Sequence, residues 1–471
     1  MIKITLNNKA ADQIAGYTPI RLTEKKLDRV VIDGGKETLE IGIGPRNKVT
    51  AKSLPLLVRQ IITSAKKHSF KKIAIDAEGL TFANIEGVDA ARITATNLEL
   101  ANYDYTTQKT KPEEGWTEVT DIVLCGAVSP EGRVAISRGQ IIGQQINQAR
   151  DWCNTPGGDM TPKYLANATK AAAKGSKATV KVLGRAEMQK LGMGAVLAIA
   201  KGSAEEPQFI VVEYWGAAKT KKPLVLVGKG VTFDTGGLNI KTGDHMYEMH
   251  MDMTGGATVI NTVLLAAKLG IKTNLVALVP AVENAPGTNA VRPGDIVKSL
   301  SGKTIEILNT DAEGRVILAD GITYAKRYNP EAVVDVATLT GAALIALGTV
   351  ASAFMTNEKS MSIMDIMNLS AKSGDPMWPF PCWAEYEPMT KGTFGDVPNL
   401  STMGNSRYGG VIAGGMFLKR FADDLNCQWL HLDIAPRMTS NPGDQLAKGA
   451  TGEPIQFLLA LAEQSAENNT R

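Results

Sequence analysis

Residues 309 to 315 read Asn-Thr-Asp-Ala-Glu-Gly-Arg and bring two carboxylates and a guanidinium, Asp311, Glu313 and Arg315, within five positions of one another. Like charges that close are costly unless a cation lies between them. In an extended chain alternate side chains share a face, so Asp311 and Glu313 point the same way, and Arg315 joins them if the extension persists. Upstream, residues 224 to 256 read LVLVGKGVTFDTGGLNIKTGDHMYEMHMDMTGG and place Lys229, Asp234, Lys241 and Asp252 on glycine-rich connections. Four carboxylates and two lysines thus become candidates for one site. Carboxylate-rich clusters suit magnesium, manganese or zinc, and a shared carboxylate lets two ions sit about 3.5 to 4 Å apart. The chemistry this points to is two-metal hydrolysis.

Other catalytic patterns are missing. The histidines are His68, His245, His250 and His431, and HMYEMH at residues 245 to 250 lacks the HExxH spacing of helical zinc proteases. His250 and His431 read as structural. Neither GxxxxGK[ST] nor GxGxxG occurs, so the glycines do not mark a nucleotide phosphate loop. YGGVIAGGMFLKRF, residues 408 to 421, reads instead as a tightly packed helix that needs small residues.

The elements that must position these groups follow from length and periodicity. At 471 residues the chain exceeds the roughly 250 to 300 at which single cores stop growing, so two domains are expected. With 44% hydrophobic and 21% charged residues it has the composition of a soluble globular protein. A formal charge of +3 over this length argues against nucleic acid as the main partner, while leaving a local basic patch open. Cys125, Cys153, Cys382 and Cys427 form no CxxC pair and read as reduced thiols. MIKITLNNKA lacks the apolar core of a signal peptide, and cytoplasm is the expected location. Residues 332 to 355 are apolar enough to imitate a membrane span, but Asp335 and the punctuation at Gly341 and Gly348 favour a buried strand feeding a helix.

Residues 1 to 153 are expected to form a self-contained α/β domain with strands at IKITL, RVVI, LEIGIG, KKIAID and TDIVLCG. Helices are expected over 51 to 67 and 87 to 101, and a linking helix from about Pro130 to Trp152. The turn cluster Asn154-Thr155-Pro156-Gly157-Gly158 closes it. Residues 154 to 471 carry continuous apolar runs, FIVVEYW, PLVLVG, LVALVPAV, AVVDVATL and WLHLDIA, with helical patterns near 254 to 269, 314 to 328, 409 to 422 and 452 to 464. Unbroken apolar strands covered by helices describe an open, mostly parallel α/β sheet. Ligands in such sheets sit at the carboxyl ends of strands: Lys229 and Asp234 follow PLVLVG, while Asp311 and Glu313 follow TIEIL.

These segments resemble the leucyl aminopeptidase (cytosol aminopeptidase) family, the M17 metallo-exopeptidases. The resemblance rests on the VGKG-x-T-FD stretch running to Met-x-x-Asp-Met-small-Gly and on NTDAEGR. It continues through ATLTGA (337 to 342), HLDIA (431 to 435) and KGATGEP (448 to 454), spanning about Asn154 to near the C-terminus. Thr235 stands where the family usually has serine, and His250 beside the ligand segment is a second departure. The family implies a macro-domain-like N-terminal domain and a homohexamer of two stacked trimers with the catalytic domains at its centre. It further implies that Lys229, Asp234, Asp252, Asp311 and Glu313 hold two divalent ions, manganese or zinc or magnesium, with Asp234 and Glu313 shared and Asp311 also offering its carbonyl.

A lysine binds a cation only as the neutral amine, from a pKa in water of about 10.4, so metal affinity is expected to fall with pH. By the same resemblance a water bridging the ions is the nucleophile, Lys241 polarises the scissile carbonyl, and Arg315 holds a bicarbonate that serves as general base. The substrate pocket maps onto Met249, Thr338, Gly341, Ala435 and Met438, with backbone groups of Leu339 and Gly341 aligning the peptide. Taken alone, Met249 and Met438 read as core packing. A methionine-lined slot favours leucine-like side chains, with broad selectivity, because one methylene discriminates by only about 1 to 3 kcal/mol. The expected activity is release of N-terminal apolar residues from peptides. The alternative is an oligomeric DNA-binding protein with or without peptidase activity. A catalytically dead scaffold is disfavoured because every family ligand is retained.

Overall fold

The computed structural model describes residues 2–25, 28–33, 35–405 and 408–470. The chain divides into two compact units, residues 1–148 with 440–448, and residues 149–439 with 449–471. The division falls inside one continuous helix, Pro130–Asn154.

The first unit holds a six-stranded sheet in the order Lys3–Asn7, Asp121–Cys125, Lys72–Asp76, Thr18–Thr23, Lys36–Gly42, Arg29–Asp33. All neighbours are parallel except the last pair. Thr18–Thr23 had no sequence signal, because Pro19 and Arg21 break its apolar run. Helix Leu54–Lys67 shows how the cover forms: Leu54, Leu57, Val58, Ile61, Ile62 and Ala65 recur at helical spacing and are all buried. Pro55 lies in its first turn, and Lys66 and Lys67 in its last complement the helix dipole.

The second unit is built on a nine-stranded sheet. Its path runs Met377–Pro379, Ser352–Thr356, Gln428–Asp433, Ala332–Ala337, Leu224–Gly228, Asn274–Asn284, Gln208–Trp215, Thr179–Leu183, and Gly230–Asp234 pairs with Asn274–Asn284. The middle is parallel, while Gln208–Trp215 and Thr179–Leu183 on one side and Ser352–Thr356 on the other join antiparallel. The apolar runs are the central strands: every residue of Leu224–Gly228 and of Gln428–Asp433 is buried. The span-like stretch resolves into strand Ala332–Ala337, helix Gly341–Leu347 and strand Ser352–Thr356. No helix among the described residues is long and apolar enough to cross a membrane. One expectation changes: TIEIL does not enter this sheet. Thr304–Glu306 pairs with Ile296–Lys298 and Val397–Pro398 in a separate three-stranded sheet, so the loop bearing Asp311 approaches from outside the main sheet.

Candidate active site

Lys229 sits at a fork in the sheet. Strand Leu224–Gly228 pairs with both Ala332–Ala337 and Asn274–Asn284, but beyond Lys229 the chain follows only Asn274–Asn284, as Gly230–Asp234. Its amide donates to Val336 O at 2.9 Å, and its carbonyl accepts from Gly256 N at 2.7 Å at the start of helix Thr254–Leu269. A side chain at Gly255 would strike Val336 O at 2.1 Å, so Thr-Gly-Gly after Asp252 lets that helix press against the lysine backbone.

Two lysine-centred clusters result. Lys229 Nζ lies 2.8 Å and 2.7 Å from the two carboxylate oxygens of Asp252, 2.8 Å from Glu313 Oε1 and 3.1 Å from Thr338 O. Lys241 Nζ lies 2.8 Å from Asp234 Oδ2 and 2.5 Å from Asp311 Oδ1. Carboxylate oxygens of Asp234, Asp252 and Glu313 fall within 4.8 Å of one another, which makes the two clusters one site. Asp311 stands outside that trio and is the most accessible carboxylate, at 35% side-chain exposure against 1% for Glu313.

The local conformation of the Asn-Thr-Asp-Ala-Glu-Gly-Arg segment corrects the extended-chain expectation. Asp311 lies in a turn and Glu313 opens helix Glu313–Ala325, so the two carboxylates are aimed at different lysines rather than along one strand face. Arg315 lies in the first turn of that helix, where its Nη1 donates to Asn399 O at 3.0 Å.

Four carboxylates against two lysines leave the pocket rich in negative charge, and burial magnifies the cost. Burial, aided by Asp234, lifts Glu313 to about 8; burial lifts Asp252 to about 6 although Lys229 opposes it. Asp311 is raised by burial and by Asp234. For both lysines burial disfavours the ammonium, yet the surrounding carboxylates win and their pKa values rise: Asp252, Glu313 and Asp234 at Lys229, and Asp234, Glu313 and Asp311 at Lys241. Both oxygens of Glu313 and Oδ2 of Asp252 are buried without a hydrogen-bond partner, even where Lys229 is within ion-pair distance. Buried carboxylate oxygens with no donor besides the Lys229 ammonium fit a cation-binding role. Arg315 Nε is also buried and unpartnered, and burial lowers its pKa to about 10, which leaves it cationic at neutral pH.

Comparison with known proteins places the chain in a family. Residues 147–459 match the model of the cytosol aminopeptidase family, catalytic domain. The chain is 41% identical over 446 residues to a probable cytosol aminopeptidase of Nitrosococcus oceani, covering 92% of this chain and 85% of that one. It is 45% identical over 361 residues to another from Azoarcus sp. (strain BH72), covering 76% and 70%. The chain belongs to the cytosol aminopeptidase family. Among solved structures, the bottromycin maturation enzyme BotP superposes with a TM-score of 0.84 at 28% identity, covering 99% of this chain and 100% of that chain. A second BotP structure, at 27% identity and the same TM-score, is a complex with Mn. As a cytosol aminopeptidase family member this chain is a peptidase hydrolase.

The positions onto which the resemblance maps a substrate pocket differ in burial, with Thr338 buried. Thr338 Oγ1 donates to Asp252 Oδ1 at 2.6 Å, and the Leu339 amide donates to Asp433 Oδ1 at 3.1 Å. Gly341 opens a helix, while Met249, Ala435 and Met438 are half-buried. Three residues unassigned from sequence hold these segments together. Asn284 donates to Asp234 Oδ1 at 2.8 Å and Thr310 O at 3.0 Å; Asn399 accepts from Leu308 N at 2.8 Å and Asn309 N at 3.2 Å; Asp433 also accepts from Thr340 Oγ1 at 2.6 Å. Asp433 lay within HLDIA, a usable signal, but nothing local distinguishes Asn284 or Asn399 from loop asparagines. His431 Nδ1 lies 2.5 Å from Asp335 Oδ1 on the paired strand, whose other oxygen accepts from Trp429 Nε1 at 2.8 Å, in keeping with a structural histidine.

The packing makes a prediction. A Cβ at Gly314 would lie 2.6 Å from Lys229 Cε and 2.8 Å from its Nζ. Gly314→Ala is expected to keep the fold, shown by an unchanged circular dichroism spectrum, and to lower kcat/KM by at least about tenfold, because small displacements of reacting groups carry large rate costs. Unchanged kinetics would show that the Lys229 position is not critical.

Proposed function

We propose that this aminopeptidase is metal-dependent, holds two divalent ions on Lys229, Asp234, Asp252, Asp311 and Glu313, and removes leucine-like residues from the free N-termini of peptides. The observation that carries the reading is the convergence of three buried carboxylates, two of them with oxygens that have no hydrogen-bond donor besides the Lys229 ammonium. Bound there, two divalent ions would supply Lewis acidity and a water nucleophile at neutral pH. Manganese or zinc suits this oxygen-and-amine donor set, and magnesium remains compatible with the carboxylates alone. Lys229 can contribute as a ligand once deprotonated; its burial already favours that form, and a divalent charge among the same carboxylates would offset the attraction that now holds the proton.

The chain's own groups then divide the work. Lys241, anchored by Asp234 and Asp311, is a fixed cation for the oxyanion that develops on the scissile carbonyl. Arg315, with its Nε unused and Nη1 held by Asn399, can retain a small anion such as bicarbonate, which would serve as general base where no histidine occupies the cluster. Thr338 and Asp433 hold Asp252 and the Leu339–Thr340 backbone in place. Met249, Ala435 and Met438, with Gly341, are the residues proposed to contact the substrate side chain. A cytoplasmic location and a homohexamer complete the reading.

The test uses manganese-loaded full-length protein with leucine para-nitroanilide and its N-acetyl derivative. Cleavage of the first, at least about a hundredfold faster than of the blocked substrate and abolished by chelation, is expected. Equal cleavage of both, or activity indifferent to chelator, would overturn the reading.

A further inference from the structure

We infer that Arg437 is a positioning residue that fixes the pocket for the substrate's side chain, and so sets how strongly leucine-like residues are preferred over small ones. The inference rests on the reading that Gly341, Ala435 and Met438 contact that side chain. Two short segments carry these residues. One is helix Gly341–Leu347; the other is the helical turn Ala435–Arg437, with Met438 directly after it, which follows strand Gln428–Asp433.

Both segments are short helical turns, so strand pairing cannot fix the distance between them. The chain also leaves soon after Met438, since residues 440 to 448 belong to the other compact unit. Side chains therefore have to set the spacing, and two of them do. Asp433 serves one end: its carboxylate accepts from Leu339 N at 3.1 Å and Thr340 Oγ1 at 2.6 Å, just before the helix, and from Ala435 N at 3.3 Å in the turn. Arg437 serves the other end. Its Nη1 donates to Thr349 O at 2.5 Å, just past the last residue of that helix.

The guanidinium that makes this tie is itself held on its remaining edge. Its Nε and Nη2 donate to Glu453 Oε2 at 2.9 Å and Oε1 at 2.6 Å, a two-bond fork on a carboxylate, and the Arg437 side chain is 4% exposed. The turn's backbone joins the same segment: Arg437 O accepts from Thr451 Oγ1 at 2.5 Å, and Met438 O accepts from Thr451 N at 3.3 Å. One planar cation thus links the end of the Gly341 helix, the turn that carries Ala435 and Met438, and Glu453. Lysine can offer its ammonium to Glu453 or to Thr349 O, but it lacks the fixed fork that reaches both.

The experiment compares leucine and alanine para-nitroanilides on manganese-loaded full-length protein. In Arg437→Lys the leucine-to-alanine ratio of kcat/KM is expected to fall about tenfold, within the range that a methylene commands in an apolar pocket, and the loss is expected mainly in KM for the leucine substrate. Removing the arginine alone would leave Glu453 without its partner, so the second variant is Arg437→Met combined with Glu453→Met, since apolar replacement of both members of a buried pair is tolerated. It is expected to melt cooperatively and to show the same fall, and it decides alone if Arg437→Lys does not fold. Met438→Ala, in the turn itself, is expected to move the ratio as well. A ratio moved by Met438→Ala but unchanged in both Arg437 variants, or an equal loss on the two substrates in those variants, would overturn the inference and leave the pocket reading standing. A ratio that none of the three moves would overturn both.

Discussion

Glu313→Ala is expected to lower kcat/KM by at least about a thousandfold and to take the bound metal below two equivalents per chain. Glu313 is 1% exposed, opens its helix at the centre of the cluster, and offers two oxygens with no other hydrogen-bond partner. If those oxygens hold ions, their loss removes charge stabilisation of several kcal/mol, and about 4 kcal/mol corresponds to about a thousandfold in rate. Glu313→Gln separates charge from shape, since it keeps the packing and removes the negative charge. Both variants are expected to fold, because Lys229 keeps Asp252 as its partner and burial already holds Glu313 largely protonated at neutral pH. Kinetics together with metal analysis on purified protein provide the check. Two equivalents of metal and activity within tenfold of wild type in Glu313→Ala would remove Glu313 from the metal site and with it the two-ion reading.

The second large effect is in pH. Without metal, burial and Asp234 hold Glu313 near 8, and burial holds Asp252 near 6, so at mildly acidic pH both carry protons that an incoming cation must displace. The raised pKa of Lys229 acts in the same direction if its amine is to bind. Manganese affinity is therefore expected to weaken by at least about tenfold from pH 8 to pH 6, since one group with a pKa near 8 alone gives more than that. The sign for stability follows the same logic. A carboxyl whose folded pKa is raised above its unfolded value of about 4.3 imposes no penalty below that value, and the penalty grows as pH climbs toward the folded pKa. Metal offsets it where it is largest, so the rise in Tm on adding manganese is expected to be greater at pH 8 than at pH 6. Calorimetric titration and thermal melts at both pH values measure this. An affinity independent of pH over that interval would mean that the carboxylates are already ionised in the metal-free protein.

Much of the architecture was legible because continuous apolar runs have few physical outlets. PLVLVG and WLHLDIA could bury every residue only as central strands, and helix Leu54–Lys67 shows its inner face in its own periodicity. Two of the elements that escaped have sequences that conflict with their position. Thr18–Thr23 carries Pro19 and Arg21, and Gly230–Asp234 is too short and too rich in polar residues to announce a strand.

For the site, residue types and spacing alone determined that acidic groups and lysines would need one another, since carboxylates this crowded cannot share a buried pocket without cations. The tertiary structure decided which lysine serves which carboxylate: Lys229 between Asp252 and Glu313, Lys241 between Asp234 and Asp311. It also turned the Asp311-to-Arg315 segment from an extended strand into a turn and helix start, and recruited Asn284, Asn399 and Asp433 from distant segments. The physical reason is range. Charge and hydrophobic period are local properties of a chain, whereas a hydrogen bond between Asn284 and Asp234, or Asn399 and Arg315, exists only after separate strands and loops have been packed to within bonding distance.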